Sequence, residues 1–304
     1  MLGLDTALGE LTLVFFTTLA PPGTLAYMIM AIIVLFGRMG EKRRKRIKQF
    51  LCVPLITAMV GLVASATHLG NPANALYVFM GVGRSPLSNE VFCAAVFLGL
   101  AASYWLYSFT EKSRPLLERI WLLLAVIAGI AFITSIAFAY SVDTIISWYS
   151  PYVPISLWLC AGVGGPPLAL LSLHMADSLL GHQWFMRRTC IATGSIAAIH
   201  IVVLFLYNNE LMNMRNSIVS ADDLLASYTV VIIAYTLLVA IGLAVIMRTL
   251  HVLNSASSLS EADSKKNNRR LFLGLLGGCL CIFAGIFIIR FAFYMLHMTV
   301  GLSI

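Results

Sequence analysis

Eight long apolar runs follow one another along the chain, at about 11–36, 49–69, 89–110, 119–142, 155–180, 189–208, 227–249 and 271–296. Each is close to or above the ~20 residues a helix needs to cross a hydrocarbon core. The pattern predicts an all-α membrane protein with eight transmembrane helices. The first run is interrupted by Ala20-Pro21-Pro22-Gly23, and the fifth by Gly162-Val163-Gly164-Gly165-Pro166-Pro167. A double proline removes two helix hydrogen bonds and breaks or kinks the helix unless neighbours satisfy the freed carbonyls. The two interruptions fall at similar depths in runs that share a direction. We therefore expect one integral domain, 1–304, built as two four-helix bundles in a weak parallel repeat with halves near 1–150 and 151–304. Paired broken helices also mark the binding sites of secondary transporters, so a transporter is a rival expectation.

The connection between the second and third runs carries its own pattern. Ala73, Leu76, Tyr77, Phe79 and Met80 recur at helical spacing, which predicts a short helix lying on the membrane surface. Gly70-Asn71-Pro72 precedes it and Gly81, Gly83 and Pro86 follow it. Ser88 or Asn89 is expected to cap the next helix. His68 and Glu90 stand at the two edges of this connection, where membrane helices meet the interface. Ionisable groups at such depths are costly and are functional candidates by default.

Charge then orients the molecule. Only 11% of residues are charged, against about 25% in an ordinary soluble domain. Seventeen of the 20 lysines and arginines lie in the connections 37–48, 111–119, 181–188 and 248–270, all on one side of an eight-span topology. Arg84, Arg215 and Arg290 remain. The positive-inside rule places both termini outside. The net charge of +7 therefore reports orientation and anionic-lipid contact at 42–48, not nucleic-acid binding. The start of the sequence holds Asp5 and Glu10 and no basic residue, so no cleavable signal peptide is expected. The six cysteines lie in apolar runs with no CxxC pair. They read as packing residues, with no iron–sulfur cluster in this protein.

Other ionisable residues sit inside the runs. His174 and Asp177 are spaced i, i+3, as a structural pair or a proton relay. His200 reads as a structural histidine bonded to a neighbouring helix. Arg290 lies within the last run, where an unpaired arginine costs at least ~2.5–3.5 kcal/mol. It needs a carboxylate, carbonyls or an anionic ligand group, and Glu90 and Glu10 are available at similar depth.

Four blocks carry a family resemblance: His68-Leu69-Gly70-Asn71-Pro72 with Leu87-Ser88-Asn89-Glu90; Trp148 with Ser150-Pro151; Gly164-Gly165-Pro166; and Arg290-x-x-Phe293-Tyr294. Together they resemble the membrane anchor subunit of dimethyl sulfoxide reductase-type enzymes, a polysulfide reductase-like integral membrane family. The resemblance implies a bacterial cytoplasmic (inner) membrane protein with two partners, a molybdopterin catalytic subunit and a four-cluster iron–sulfur subunit. It implies an anchor that oxidises menaquinol and passes the electrons on, with no haem, cluster or other metal of its own. The candidate quinol site takes His68 and Glu90 as catalytic, with Arg290, Asn89, Arg84 and Glu10 as further quinol-binding residues. Arg84 departs from the small residues of the family block.

The chemistry agrees with those residue types. Quinol oxidation releases two protons with two electrons, and an imidazole is suited to accepting one near neutral pH. A fixed cation such as Arg290 can stabilise a developing anion. A b-type cytochrome is a third reading, drawing on His68, His200 and His297 as outward-lying ligands. The iron–sulfur partner is expected to dock on the extracytoplasmic side; the alternative is a cytoplasmic partner and a site near His174 and Asp177.

Overall fold

The computed structural model describes residues 2–68, 72–110, 114–177, 183–254 and 261–300. Leu69, Gly70 and Asn71 of the His-Leu-Gly-x-Pro block lie outside this set, as do Lys112, the end of the fifth run beyond Asp177, and residues 255–260 of the last polar connection. A short helix α1 (Leu2–Gly9) precedes α2 (Leu11–Phe36). Helices α3 (Glu41–Phe50) and α4 (Cys52–Ala66) follow, and then a 3₁₀ helix, Pro72–Gly81. After it come α5 (Pro86–Tyr107), α6 (Pro115–Ala139), α7 (Tyr152–Met175), α8 (Gln183–Leu211), the single turn α9 (Ala221–Leu224), α10 (Tyr228–Asn254) and α11 (Glu261–Met295). Eight of the described helical stretches are long and apolar enough to cross a membrane, and α3 and α4 together supply one of them.

Two basic stretches that read as connections are helical. Glu41–Lys48 forms most of α3, and α11 already runs through Lys265, Lys266, Arg269 and Arg270. Glutamate, lysine and arginine are strong helix formers, so a helix continues past the point where its apolar run ends. The surface segment is a 3₁₀ helix, with Leu76, Tyr77 and Met80 exposed. The cap of α5 is Ser85, whose Oγ accepts from the Ser88 N–H at 3.5 Å, with Pro86 at the first helical position. Neither Ser88 nor Asn89 serves as the cap. Proline at N1 needs no backbone donor there, and it shifts the helix start three residues earlier than the apolar run suggests.

Helices α2 and α7 are the most buried spans and lie against each other at the centre. Around α2 pack α4 and α6, with α5 beside α6; around α7 pack α8 and α11, with α10 beside α8 and α11. The expected breaks do not occur. Both helices run unbroken through Pro21-Pro22 and Pro166-Pro167. Pro22 instead meets Gly164 on the facing helix, and the neighbouring Gly23 meets α4. A Cβ added at Gly164 would lie 2.8 Å from Pro22 Cβ, and one added at Gly23 would lie 2.7 Å from the Ala58 amide nitrogen of α4. Absent side chains at these positions let the helices approach closely enough to hold the proline-bearing turns in place.

The two ends of the bundle differ in chemistry. At the basic end, Lys48 forms a buried ion pair with Glu118, Arg46 pairs with Asp177, and Trp105 Nε1 donates to Gln49 O at 2.7 Å. The other end carries the first and last described residues, Leu2 and Val300. There the connection 143–154 closes over the end of α11. Ile146 N–H donates to Met298 O at 2.8 Å and Val300 N–H to Thr144 O at 3.0 Å. Trp148 stacks on Phe293 with ring centroids 4.6 Å apart, and its Nε1 donates to Phe293 O at 3.2 Å.

Candidate functional site

At the end of the bundle that carries Leu2 and Val300, Glu10 marks the junction of α1 and α2, and His68 follows α4. Glu10 Oε2 and His68 Nε2 are 3.2 Å apart, with both side chains partly exposed. The pair makes a charge contact but is not aligned as a hydrogen bond. His297, just beyond α11, also lies in the field of Glu10. Burial holds its pKa below the ordinary imidazole value, and the Glu10 carboxylate partly offsets that effect. Its ring meets Trp148 edge to face at 4.9 Å.

Deeper in the bundle stand Glu90 and Arg290, which are 2% and 1% exposed. Glu90 lies in the first turns of α5, and Arg290 about one turn before the end of α11. Among the described residues no carboxylate lies within ion-pairing distance of Arg290. Aromatic rings surround it instead: its guanidinium carbon is 4.2 Å from the Phe293 centroid, 5.7 Å from that of Tyr294 and 5.8 Å from that of Tyr140. A desolvated cation over such faces gains ~2 kcal/mol. Tyr140 and Tyr294 lie in the fields of both Glu90 and Arg290 and meet edge to face at 5.8 Å. Tyr294 Oη donates to Leu13 O at 3.3 Å, which ties α11 to α2.

Two candidates are nearer the surface. Asn89 Oδ1 accepts from the Gly83 N–H at 2.7 Å, where Gly83 has φ +83°, the left-handed turn that leads into α5. Asn89 also lines an open groove of about 540 Å³ with Pro86 and, from α6, Ile127, Ala131, Thr134 and Phe138. Arg84 is exposed and donates to Met80 O at 3.1 Å. The structure thus groups Glu10 with His68 at the rim, buries Glu90 and Arg290, and leaves Arg84 on the outer turn.

Helix α7 ends at Met175, and Asp177 adopts a left-handed backbone with φ 48°. Asp177 N–H still donates to His174 O at 2.9 Å and its carboxylate lies in the field of the imidazole; it also pairs with Arg46, while the His174 ring stacks on Phe272 at 6.4 Å. His200 is fully buried, with Nε2 2.8 Å from Ser156 Oγ and Nδ1 2.8 Å from Tyr235 Oη, the structural bonding expected of it. Among the described residues no three His, Cys, Asp or Glu side chains gather closely enough to hold a metal ion. Sequence reasoning did not place Tyr140 among the candidates, raised His297 only as an outward-lying haem ligand, and met Tyr294 only through its position in the Arg290-x-x-Phe293-Tyr294 block.

Fold and site together define an all-helical, multi-pass membrane protein whose buried carboxylate and guanidinium lie near the end carrying Leu2 and Val300. The family model of the DMSO reductase anchor subunit (DmsC) matches residues 4–296, and the protein belongs to that family. It is 29% identical over 302 residues to the C subunit of anaerobic dimethyl sulfoxide reductase from Haemophilus influenzae (strain ATCC 51907 / DSM 11121 / KW20 / Rd), with 99% of both sequences covered. It is 27% identical over 296 residues to the C subunit of anaerobic dimethyl sulfoxide reductase from Escherichia coli (strain K12), with 97% of both covered. The YnfH subunit of an anaerobic dimethyl sulfoxide reductase from the same organism is 27% identical over 295 residues, with 97% of each covered. An anchor subunit of this family implies catalytic and electron-transfer partner subunits.

Proposed function

We propose that this protein is the quinol-oxidising anchor of a molybdopterin oxidoreductase complex. It takes electrons from menaquinol and passes them to a four-cluster iron–sulfur subunit, which feeds a molybdopterin catalytic subunit. It resides in the bacterial cytoplasmic (inner) membrane with both termini extracytoplasmic. Residues 1–150 and 151–304 form its two repeat halves, a reading supported by the matching neighbours of α2 and α7.

The observation that carries the reading is the pairing of a buried carboxylate, Glu90, with an acid–base rim, Glu10 and His68, at one end of the bundle. Oxidation of the quinol removes two protons and two electrons. His68 accepts one hydroxyl proton, with Glu10 stabilising the imidazolium that forms. Glu90 accepts the hydrogen bond and then the proton of the second hydroxyl. Arg290, held over the rings of Tyr140, Phe293 and Tyr294, supplies a fixed cation at the same end of the bundle. Asn89 faces the apolar groove that suits an isoprenoid tail, and Arg84 sits on the turn beside it. The two electrons leave to the iron–sulfur partner docked over this end, where exposed Leu76, Tyr77 and Met80 supply apolar contact surface.

The test is purification of the tagged protein from membranes. The reading expects two larger partners containing molybdenum and iron, and reduction of that iron by menaquinol. A protein that purifies alone and moves a solute across vesicles contradicts it.

A further inference from the structure

Behind Arg290 lies a second polar cluster that quinol chemistry does not use. The Nε and Nη2 atoms of Arg290 are buried without a hydrogen-bond partner among the described residues. The same side chain lines a small internal cavity, of about 10 Å³, together with Tyr152, Ser156, Tyr207, Tyr228 and Phe293. Four of those neighbours carry hydroxyl groups. Ser156 has a further contact, since its Oγ lies 2.8 Å from His200 Nε2, and His200 Nδ1 lies 2.8 Å from Tyr235 Oη.

We propose that this cavity is a binding site for one water molecule, which accepts from Arg290 and joins it through Ser156 to His200 and Tyr235. Three arguments lead there. An arginine can only donate, so its buried N–H groups need an acceptor, and a hydroxyl or water oxygen is the acceptor the lining offers. A cavity of ~10–15 Å³ is the least that holds one water, which wants two to four polar partners. The space is too small for a quinone ring and tight for a hydrated or bare anion. Tyr207 already donates its hydroxyl hydrogen to Ser147 O at 2.7 Å, so toward the cavity it offers an acceptor, which suits a guest that also donates. The water then links α11 to α7 directly and, through Ser156, to His200 on α8 and Tyr235 on α10. That explains how a guanidinium persists in an apolar span without a carboxylate. The inference does not depend on the quinol reading.

The test is a map of the intact complex in lipid, at a resolution where ordered waters are visible elsewhere in the protein. The site should show one peak within ~2.7–3.2 Å of an Arg290 nitrogen and of Ser156 Oγ. Ser156→Ala should weaken or abolish that peak while the Arg290 side chain stays over Phe293. A map recorded in bromide should leave the peak unchanged. The proposal is overturned by an empty cavity, by Arg290 turned onto Glu90, by a peak that strengthens in bromide, or by a peak indifferent to both Ser156→Ala and Tyr228→Phe.

Discussion

Glu10 Oε2 stands 3.2 Å from His68 Nε2, joining the start of the first membrane span to the end of the second. Because both side chains are partly exposed, this contact is worth no more than ~1 kcal/mol. In the proposed site its role is to stabilise the imidazolium formed at His68. Glu10→Gln should lower menaquinol-driven turnover by no more than about fivefold, whereas His68→Ala, removing the base itself, should cost about 10²–10⁴-fold. Steady-state assays of both variants check the ranking.

The Lys48–Glu118 pair at the basic end is buried, so its two halves depend on each other. Glu118→Ala leaves an uncompensated ammonium and should destabilise the fold by about 3–5 kcal/mol. Replacing both residues with apolar ones of similar volume, Lys48→Met with Glu118→Leu, should recover most of that loss. Thermal unfolding of the purified complex compares the variants.

Close approach of α2 and α7 depends on Gly164. Its added Cβ would meet Pro22 Cβ at 2.8 Å and Ile286 Cδ1 at 2.9 Å. Gly164→Ala should therefore cost about 1–3 kcal/mol through overpacking, read as a lower melting temperature of the complex. Gly99→Ala is the control: its Cβ meets nothing within 4 Å, and helix propensity favours alanine by ~1 kcal/mol.

Acidification acts through His297. Burial holds its folded-state pKa below the ordinary imidazole value, while the Glu10 carboxylate opposes the shift. The unfolded protein therefore binds this proton first. The stability contributed by the neutral ring is complete above the ordinary imidazole pKa and declines as pH falls below it. Between pH 7.5 and 5.5 the wild-type melting temperature should fall further than that of His297→Gln, and Glu10→Gln should steepen the wild-type decline. Melting curves at a series of pH values measure both slopes.

The spans were legible in the sequence because a hydrocarbon solvent demands long apolar runs, and His68 and Glu90 stood out because charge is expensive at those depths. What the sequence hid was tertiary. Pro21-Pro22 reads as a break only while the facing Gly164 is unknown. Arg290 reads as needing a carboxylate, carbonyls or an anionic ligand group, and the sequence did not show the rings of Tyr140, Phe293 and Tyr294 that surround it. His174 and Asp177 stay close after the helix ends at Met175, but the partner of the Asp177 carboxylate, Arg46, comes from a distant helix that no local pattern names. His297 reaches Glu10 from nearly the full length of the sequence away, a proximity that no local pattern encodes.

The most direct test of the central claim is Glu90→Gln in the purified complex, assayed with menaquinol and separately with a soluble artificial electron donor. The account predicts a loss of menaquinol-driven turnover of at least about 10²-fold, with artificial-donor turnover unchanged. Normal menaquinol oxidation by Glu90→Gln and His68→Ala, with loss in His174→Ala, would contradict it and move the site to the basic end of the bundle.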